Sequence, residues 1–167
     1  MKTEQNRIMV LALGNDIMGD DGAALAAARV LRDEFGSKVD VFEVASAGFM
    51  LLDLLEGYDK VVIIDTILST NAPGTIRELS VQDLIGRESC SPHYAGLPEI
   101  IGLAKTLDLN FPDEIRILVI EIEDAFTIRQ GLSFQIRGNI PELVKKVKDI
   151  IKPWQTAVPS EKCGLII

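Results

Sequence analysis

Two acids and the only histidine of this 167-residue chain are the residues whose types and positions indicate metal chemistry. Asp21 lies in the glycine-rich segment 14–22 (GNDIMGDDG), Asp65 ends an apolar run, and His93 lies in the polar segment 89–96 (SCSPHYAG). Two carboxylates and one imidazole form an O, O, N ligand set for a borderline divalent ion, with coordination positions left open for catalysis. Because the imidazole binds metal only when it is neutral, we expect metal affinity to fall as acid protonates His93.

The elements predicted from the rest of the chain must bring these three residues together. Near-continuous apolar runs at 7–13, 60–65 and 115–121 are typical of strands that are buried on both faces of a parallel sheet. The alternating segment 38–44 indicates an edge strand, and 75–79, after a turn signal, indicates an antiparallel edge strand. In a parallel sheet the loops after the carboxyl ends of the strands meet at one edge, where ligands bind. The three candidate ligands are therefore expected to converge.

Helical patterns separate the predicted strands. One covers 24–35 and ends at Gly36, a second covers 97–107, and a last helix is predicted to open at the N-cap signal of Asn139 and to stop at Pro153. Strands that alternate with helices predict an α/β fold, here a three-layer α/β/α sandwich with a mostly parallel twisted sheet.

Length and composition predict one domain, 1–167, and exclude several classes of function. The core is expected to span about 7–152 and to leave a loose tail at 153–167. The formal net charge of −8 opposes binding to nucleic acid or to an anionic membrane surface. No apolar run approaches the roughly 18 residues of a membrane span. Two cysteines, Cys90 and Cys163, without a C-x-x-C pair predict a reducing cytoplasm.

The single histidine limits the class of metal site further. H-E-x-x-H peptidases, tri-histidine zinc sites and zinc fingers with two histidines are excluded. Cys90 is interpreted as a buried small side chain and not as a ligand. The glycines of segment 14–22 lack the G-x-G-x-x-G spacing, and Asp16, Asp20 and Asp21 would repel a phosphate, so a dinucleotide is disfavoured.

Each candidate ligand has a more ordinary interpretation when it is considered alone. Asp20 or Asp21 would cap the following helix and complement its dipole. Asp65 would accept amide hydrogen bonds at the end of its strand, and His93 would be a solvated loop side chain. Only the convergence of two acids with an imidazole favours the metal site.

The sequence contains, in chain order, LALGNDIMGDDGAA, SAGFMLLDLL, VVIIDTIL, APGTI, SPHYAGLPEIIGLA and VIEIEDAFTIRQGLS. In their order and spacing these segments resemble the nickel-iron hydrogenase maturation endopeptidases, across roughly residues 7–152. Each segment alone is weak, but together they are specific because they cover almost the whole predicted domain.

The resemblance implies an α/β/α fold and a cytoplasmic endopeptidase, aspartyl-type or metal-dependent. Such an enzyme cuts near the C-terminus of the large-subunit precursor of a nickel-iron hydrogenase after nickel has been inserted. The resemblance also implies that Asp21, Asp65 and His93 bind the nickel, which the substrate supplies, and are the catalytic residues. Zinc or cadmium would serve as a stand-in in crystals. Members of the family carry Asp or Glu at the first ligand position, so Asp21 fits the pattern.

Three alternatives remain open on the sequence. A phospho-receiver module also places acids where Asp20, Asp21 and Asp65 lie, although no lysine ends the run 115–121. A serine hydrolase would use Ser46 with Asp65 and His93, but the glycine that opens a G-x-S-x-G elbow is replaced here by valine. A non-catalytic nickel chaperone would bind the metal without cutting the precursor.

Overall fold

Five strands form one mixed sheet in the part of the chain that the structure describes. A computed structural model describes residues 6–45, 48–69, 72–84 and 97–156. The strands are β1 (Ile8–Leu13), β2 (Asp40–Val44), β3 (Lys60–Leu68), β4 (Ile76–Leu79) and β5 (Glu114–Ile122). Their order is β2-β1-β3-β5-β4, and all neighbours are parallel except β4 and β5. This order confirms a mostly parallel sheet with an antiparallel edge strand.

Within the same residues, four α-helices cover the two faces of the sheet. They are α1 (Ala23–Phe35), α2 (Met50–Leu55), α3 (Leu97–Thr106) and α4 (Phe134–Thr156). Helices α1 and α4 share one apolar core with Val10 and Val62, and α2 and α3 share a second core with Leu11 and Ile63. Successive strand residues point to opposite faces, so two cores require the near-continuous apolar runs seen in the sequence. The three-layer α/β/α sandwich is confirmed.

Strand β3 is longer than the sequence predicts. The apolar run stops at Asp65, but the strand continues to Leu68 because β5 pairs with it over its whole length, up to Leu68 opposite Ile122. Asp65 therefore lies inside the strand, and its predicted position at the strand end is wrong.

The predicted bounds of the last helix are wrong at both ends. Helix α4 begins at Phe134 because the hydroxyl of Ser133 accepts a hydrogen bond from the backbone N–H of Ile136 at 3.3 Å, as an N-cap does. At the other end the helix passes Pro153 to Thr156, and the buried Trp154 packs in the core with α1. Although α4 has 23 residues, neither it nor another helix of the described residues is apolar and long enough to cross a membrane.

Candidate active site

The carboxyl edge of the sheet has a crevice between β1 and β3. From β1 the chain passes through α1 to β2 on one side, whereas β3 pairs with β5 on the other side. A strand order that reverses in this way opens a crevice at the carboxyl ends of the two central strands, where ligands bind in open α/β sheets. The pairing of β1 with β3 ends at Ala12 opposite Ile64, so Asp65 is the first residue of β3 beyond it.

Asp65 is fully buried at this point. Its neighbours at alternate positions, Ile63 and Ile67, belong to the core with α2 and α3, so the Asp65 side chain faces that layer. The carboxylate oxygen Oδ1 accepts the backbone N–H of Thr66 at 2.7 Å. A buried carboxylate is costly unless it is hydrogen-bonded or binds a cation, which makes Asp65 a candidate for function.

Asp21 lies in a 3-10 turn, Gly19–Gly22, between β1 and α1, and it is also buried. Its Oδ2 accepts the backbone N–H of Asn15 at 2.9 Å, and its Oδ1 accepts the hydroxyl of Thr66 at 2.6 Å. Thr66 directly follows Asp65 in β3, so this hydrogen bond links the Asp21 turn to β3 beside Asp65. Asp21 therefore contacts β3 at the residue next to Asp65, at the edge of the sheet that the topology predicts.

The tight turn that carries Asp21 depends on a glycine. Gly14 has a φ of +154°, and a Cβ atom there would lie 2.2 Å from the carbonyl oxygen of Asp21. No other residue type allows the end of β1 to approach the turn so closely. The glycine-rich segment therefore serves to fold the chain around a carboxylate and not around a phosphate.

The sequence interpretation of Asp20 or Asp21 as a helix cap is wrong. No side chain caps either the turn at Gly19–Gly22 or α1. Instead, Asp20 Oδ1 accepts the backbone N–H of Ser133 at 2.6 Å, and Arg129 Nη2 donates to Asp20 Oδ2 at 3.2 Å. Asp20 therefore connects the Asp21 turn to the segment that leads into α4.

Backbone hydrogen bonds reinforce this connection. The N–H of Gly19 donates to the carbonyl oxygen of Arg129 at 2.8 Å, and the N–H of Arg129 donates to the carbonyl oxygen of Ile17 at 3.1 Å. Sequence reasoning missed Thr66, Arg129 and Ser133. The strand period indicates that Thr66 faces the layer opposite to Asp65, but a contact between Asp20 and Ser133, 113 positions apart, has no local signal.

His93, the third predicted ligand, lies outside the described residues, as do Ser46 and Cys90. Helix α3, which begins four positions after His93, packs with α2 on the face of the sheet that Asp65 faces. Among the described residues, no three acidic, histidine or cysteine side chains form a group that could hold a metal ion. The complete ligand set therefore stays a prediction.

A family model described as hydrogenase maturation protease matches residues 25–150. The hydrogenase 2 maturation protease of Escherichia coli strain K12 is 25% identical over 161 residues, covering 93% of this chain and 97% of that protein. The hydrogenase expression/formation protein HupD of Rhizobium leguminosarum bv. viciae is 22% identical over 166 residues, covering 96% of this chain and 82% of that protein.

Solved structures agree with the fold. The hydrogenase maturating endopeptidase HybD from Escherichia coli has a TM-score of 0.75 and 24% identity, covering 89% of this chain and 93% of that one. The [NiFe] hydrogenase maturation protease HybD from Thermococcus kodakarensis has a TM-score of 0.68 and 28% identity, covering 86% of this chain and 98% of that one.

Proposed function

Because this chain belongs to the hydrogenase maturation protease family, we propose that it removes a C-terminal peptide from the nickel-loaded large-subunit precursor of a nickel-iron hydrogenase. The family makes the protein a protease and therefore a hydrolase. The relative named for maturation of hydrogenase 2 supports a hydrogenase subunit as the substrate. A reducing cytoplasm is the proposed location, in keeping with two cysteines and no C-x-x-C pair.

The observation that carries the proposal is the pair of buried carboxylates at the crevice between β1 and β3. Asp21 accepts the Thr66 hydroxyl, and Thr66 directly follows the fully buried Asp65. We propose that both acids, with His93, bind the nickel of the precursor, which is part of the substrate. Oxygen and imidazole nitrogen ligands suit such a borderline divalent ion.

Neutral donors orient the first of these acids. The Asn15 N–H and the Thr66 hydroxyl hold the two carboxylate oxygens of Asp21, as groups around a metal ligand commonly do. In the proposed reaction these residues fix the carboxylate so that only a correctly assembled nickel centre fits, and recognition precedes hydrolysis. Bound nickel can also act as a Lewis acid or activate a water molecule.

The proposal is tested by incubating the protein with nickel-loaded and nickel-free precursor and measuring the mass of the precursor. We expect the nickel-loaded form to lose its C-terminal peptide and the nickel-free form to stay whole. An unchanged mass for the nickel-loaded precursor would indicate a chaperone and contradict the proposal. Equal cleavage of both forms would contradict recognition through nickel.

The family match favours the protease over the receiver and the serine hydrolase. Strand β5 ends at Ile122 after Glu121, without the lysine that a receiver needs. Retained cleavage in a Ser46→Ala variant would further separate the proposed reaction from a serine mechanism, which loses most of its rate with its nucleophile.

A further inference from the structure

Large apolar side chains lie exposed along the carboxyl edge of the sheet, around the crevice that holds Asp21 and Asp65. We name six of them the apolar rim: Ile17, Phe49, Leu68, Phe126, Ile128 and Phe134. Single exposed apolar residues are normal on a protein surface, but a contiguous group of them marks an interaction site.

The rim extends in two directions. Along the sheet, Phe49 follows β2, Ile17 follows β1, Leu68 ends β3, and Phe126 follows β5. These four strands are adjacent and span about 14 Å at the usual strand spacing. Across the sheet, Phe49 immediately precedes α2 and Phe134 begins α4, and these helices cover opposite faces. The rim therefore has members both along the sheet and across it, and it does not follow a single line.

Part of the rim is held in place by hydrogen bonds that do not involve the apolar side chains. The backbone pairing of Ile17 with Arg129 positions one side, as described for the site. On the other, Asp124 Oδ1 accepts the backbone N–H groups of Phe126 and Thr127 at 2.8 and 3.1 Å. These bonds fix the backbone that carries the rim side chains before a partner arrives, which lowers the entropic cost of binding.

The size of the rim indicates what covers it. Phe49, Phe126 and Phe134 are 78%, 75% and 93% exposed. At ~200 Å² for a whole side chain, they alone expose on the order of 500 Å². That is near the upper end for the largest apolar patch of a typical monomer, about 300–600 Å². With the aliphatic members, the rim approaches the roughly 800 Å² that each partner contributes to a standard interface.

We propose that the apolar rim docks the folded body of the precursor, and not only its C-terminal peptide. An extended peptide follows one line and cannot cover residues that are spread both along the sheet and across it, whereas a protein face can. A second copy of this chain fits poorly, because two copies that each carry a net charge of −8 repel each other. The inference rests on the proposed function, since it takes the hydrogenase precursor as the partner.

The experiment uses a variant that combines Ile17→Ser, Phe126→Ser and Ile128→Ser, with Leu107→Ser as the control. Leu107 is 55% exposed, against 57% for Ile17, but it follows α3 at the opposite end of the sheet from the rim. Binding is measured to the full precursor, to a precursor without its C-terminal peptide, and to the synthetic peptide. We expect the rim variant to weaken binding of both precursor forms at least ~tenfold, as loss of interface hot spots does. Peptide binding and the control should change less than about twofold, the typical effect of surface changes.

Several results would overturn docking of the folded body. These are an unchanged affinity of the shortened precursor for the rim variant, no binding of that precursor by the wild type, or an equal loss in Leu107→Ser. Wild-type dimers that the rim substitutions separate would assign the rim to a second copy. If the triple variant is unfolded by circular dichroism, Ile17→Ser alone supplies the same comparison.

Failure of this inference is distinguishable from failure of the proposed function. The wild type must shorten the nickel-loaded precursor for the proposed function to hold, whatever the rim variant does. For the inference to hold, the rim variant must show a raised KM with an unchanged kcat at saturating precursor, because docking precedes the cut.

Discussion

The two ends of the sheet differ in whether their charged side chains are exposed to solvent or buried. At the amino end, a cavity of about 990 Å³ lies between β4, α3 and the start of β5. Its lining includes Glu78 and Arg116, which form an ion pair with each other and are both partly exposed. The hydrogen bond from Arg116 lowers the pKa of Glu78. At the carboxyl end, Asp21 and Asp65 are buried and accept hydrogen bonds from backbone N–H and hydroxyl groups.

The fold therefore leaves the pair of Glu78 and Arg116 partly exposed and buries Asp21 and Asp65. The ion pair of Glu78 and Arg116 at the amino end is partly exposed and contributes little to stability. Contact with solvent is sufficient to explain why these side chains are charged. The fold removes Asp21 and Asp65 from water, and burial of a carboxylate is costly, which makes this pair the stronger candidate for function. Matched substitutions at the two ends of the sheet test this difference.

The largest effect is expected from Asp21→Asn or Asp65→Asn, which keep the shape of the side chain and remove its charge. Loss of a group that only orients a ligand costs about 10–100-fold, so loss of a ligand should reduce cleavage more than a hundredfold. Glu78→Gln at the amino end is the matched control and should cut at the wild-type rate. The measurement is the rate of precursor shortening by mass spectrometry. Normal cleavage in Asp65→Asn would place the site elsewhere.

A smaller effect is expected from Thr66→Val, which removes the hydroxyl that Asp21 accepts and keeps the shape. Cleavage and nickel affinity should fall about 10–100-fold. Thr106→Val is the control, because the Thr106 hydroxyl donates to the Gly102 carbonyl oxygen on an exposed helix face. Both variants are compared by calorimetric titration with nickel. Equal affinities would show that the bond to Asp21 does not orient a ligand.

Gly14→Ala tests the turn and not the chemistry. A Cβ atom 2.2 Å from the Asp21 carbonyl oxygen must displace backbone, so we expect the free energy of unfolding to fall by about 3 kcal/mol or more. Gly36→Ala is the control, since its φ is also positive but no atom lies within 4 Å of its added Cβ, so it should cost only the strain of its own backbone, about 1–3 kcal/mol. Urea unfolding measures both. A loss at Gly14 no greater than that at Gly36 would contradict the close approach.

The smallest effect is expected from Asp124→Ala in the rim segment. Hydrogen bonds from the Thr127 side chain and the Phe126 backbone lower the pKa of Asp124. A lowered pKa in the folded state means that the stabilisation is complete above the ordinary carboxyl pKa and is lost as the pH falls through the lowered one. In urea unfolding, the wild type should therefore have a slightly higher midpoint than the variant at neutral pH. In strong acid the two midpoints should be equal. A difference that grows on acidification would contradict the assignment.

The central strands could be predicted because a strand that is buried on both faces has apolar residues at consecutive positions. Strand β1 is apolar at every position and β5 at six of nine, and their bounds differ from the prediction by one residue at each altered end. The end of β3 was not predictable in this way, because its last residues are held by pairing with β5 and not by their own composition. Likewise α4 begins at Phe134 because Ser133 caps it, although Asn139 with Pro141 gave a stronger start signal.

The position of Asp21 and Asp65 at one edge of the sheet was predictable from topology alone, since the loops after parallel strands gather there. Their contacts were not. Asp20 was expected to cap a helix because capping is local, whereas its observed partners, Arg129 and Ser133, come from a distant segment. The role of His93 stays a prediction, because that residue lies outside the described part of the chain.

The central claim is that Asp21, Asp65 and His93 bind one ion together. The most direct measurement is an anomalous-difference map at the nickel edge from crystals of the protein soaked in nickel. We expect a single strong peak about 2.0–2.2 Å from both carboxylates and the imidazole, the usual range for oxygen and nitrogen ligands of such an ion. A peak that touches neither Asp65 nor His93, or nickel bound only at the amino end of the sheet, would contradict it.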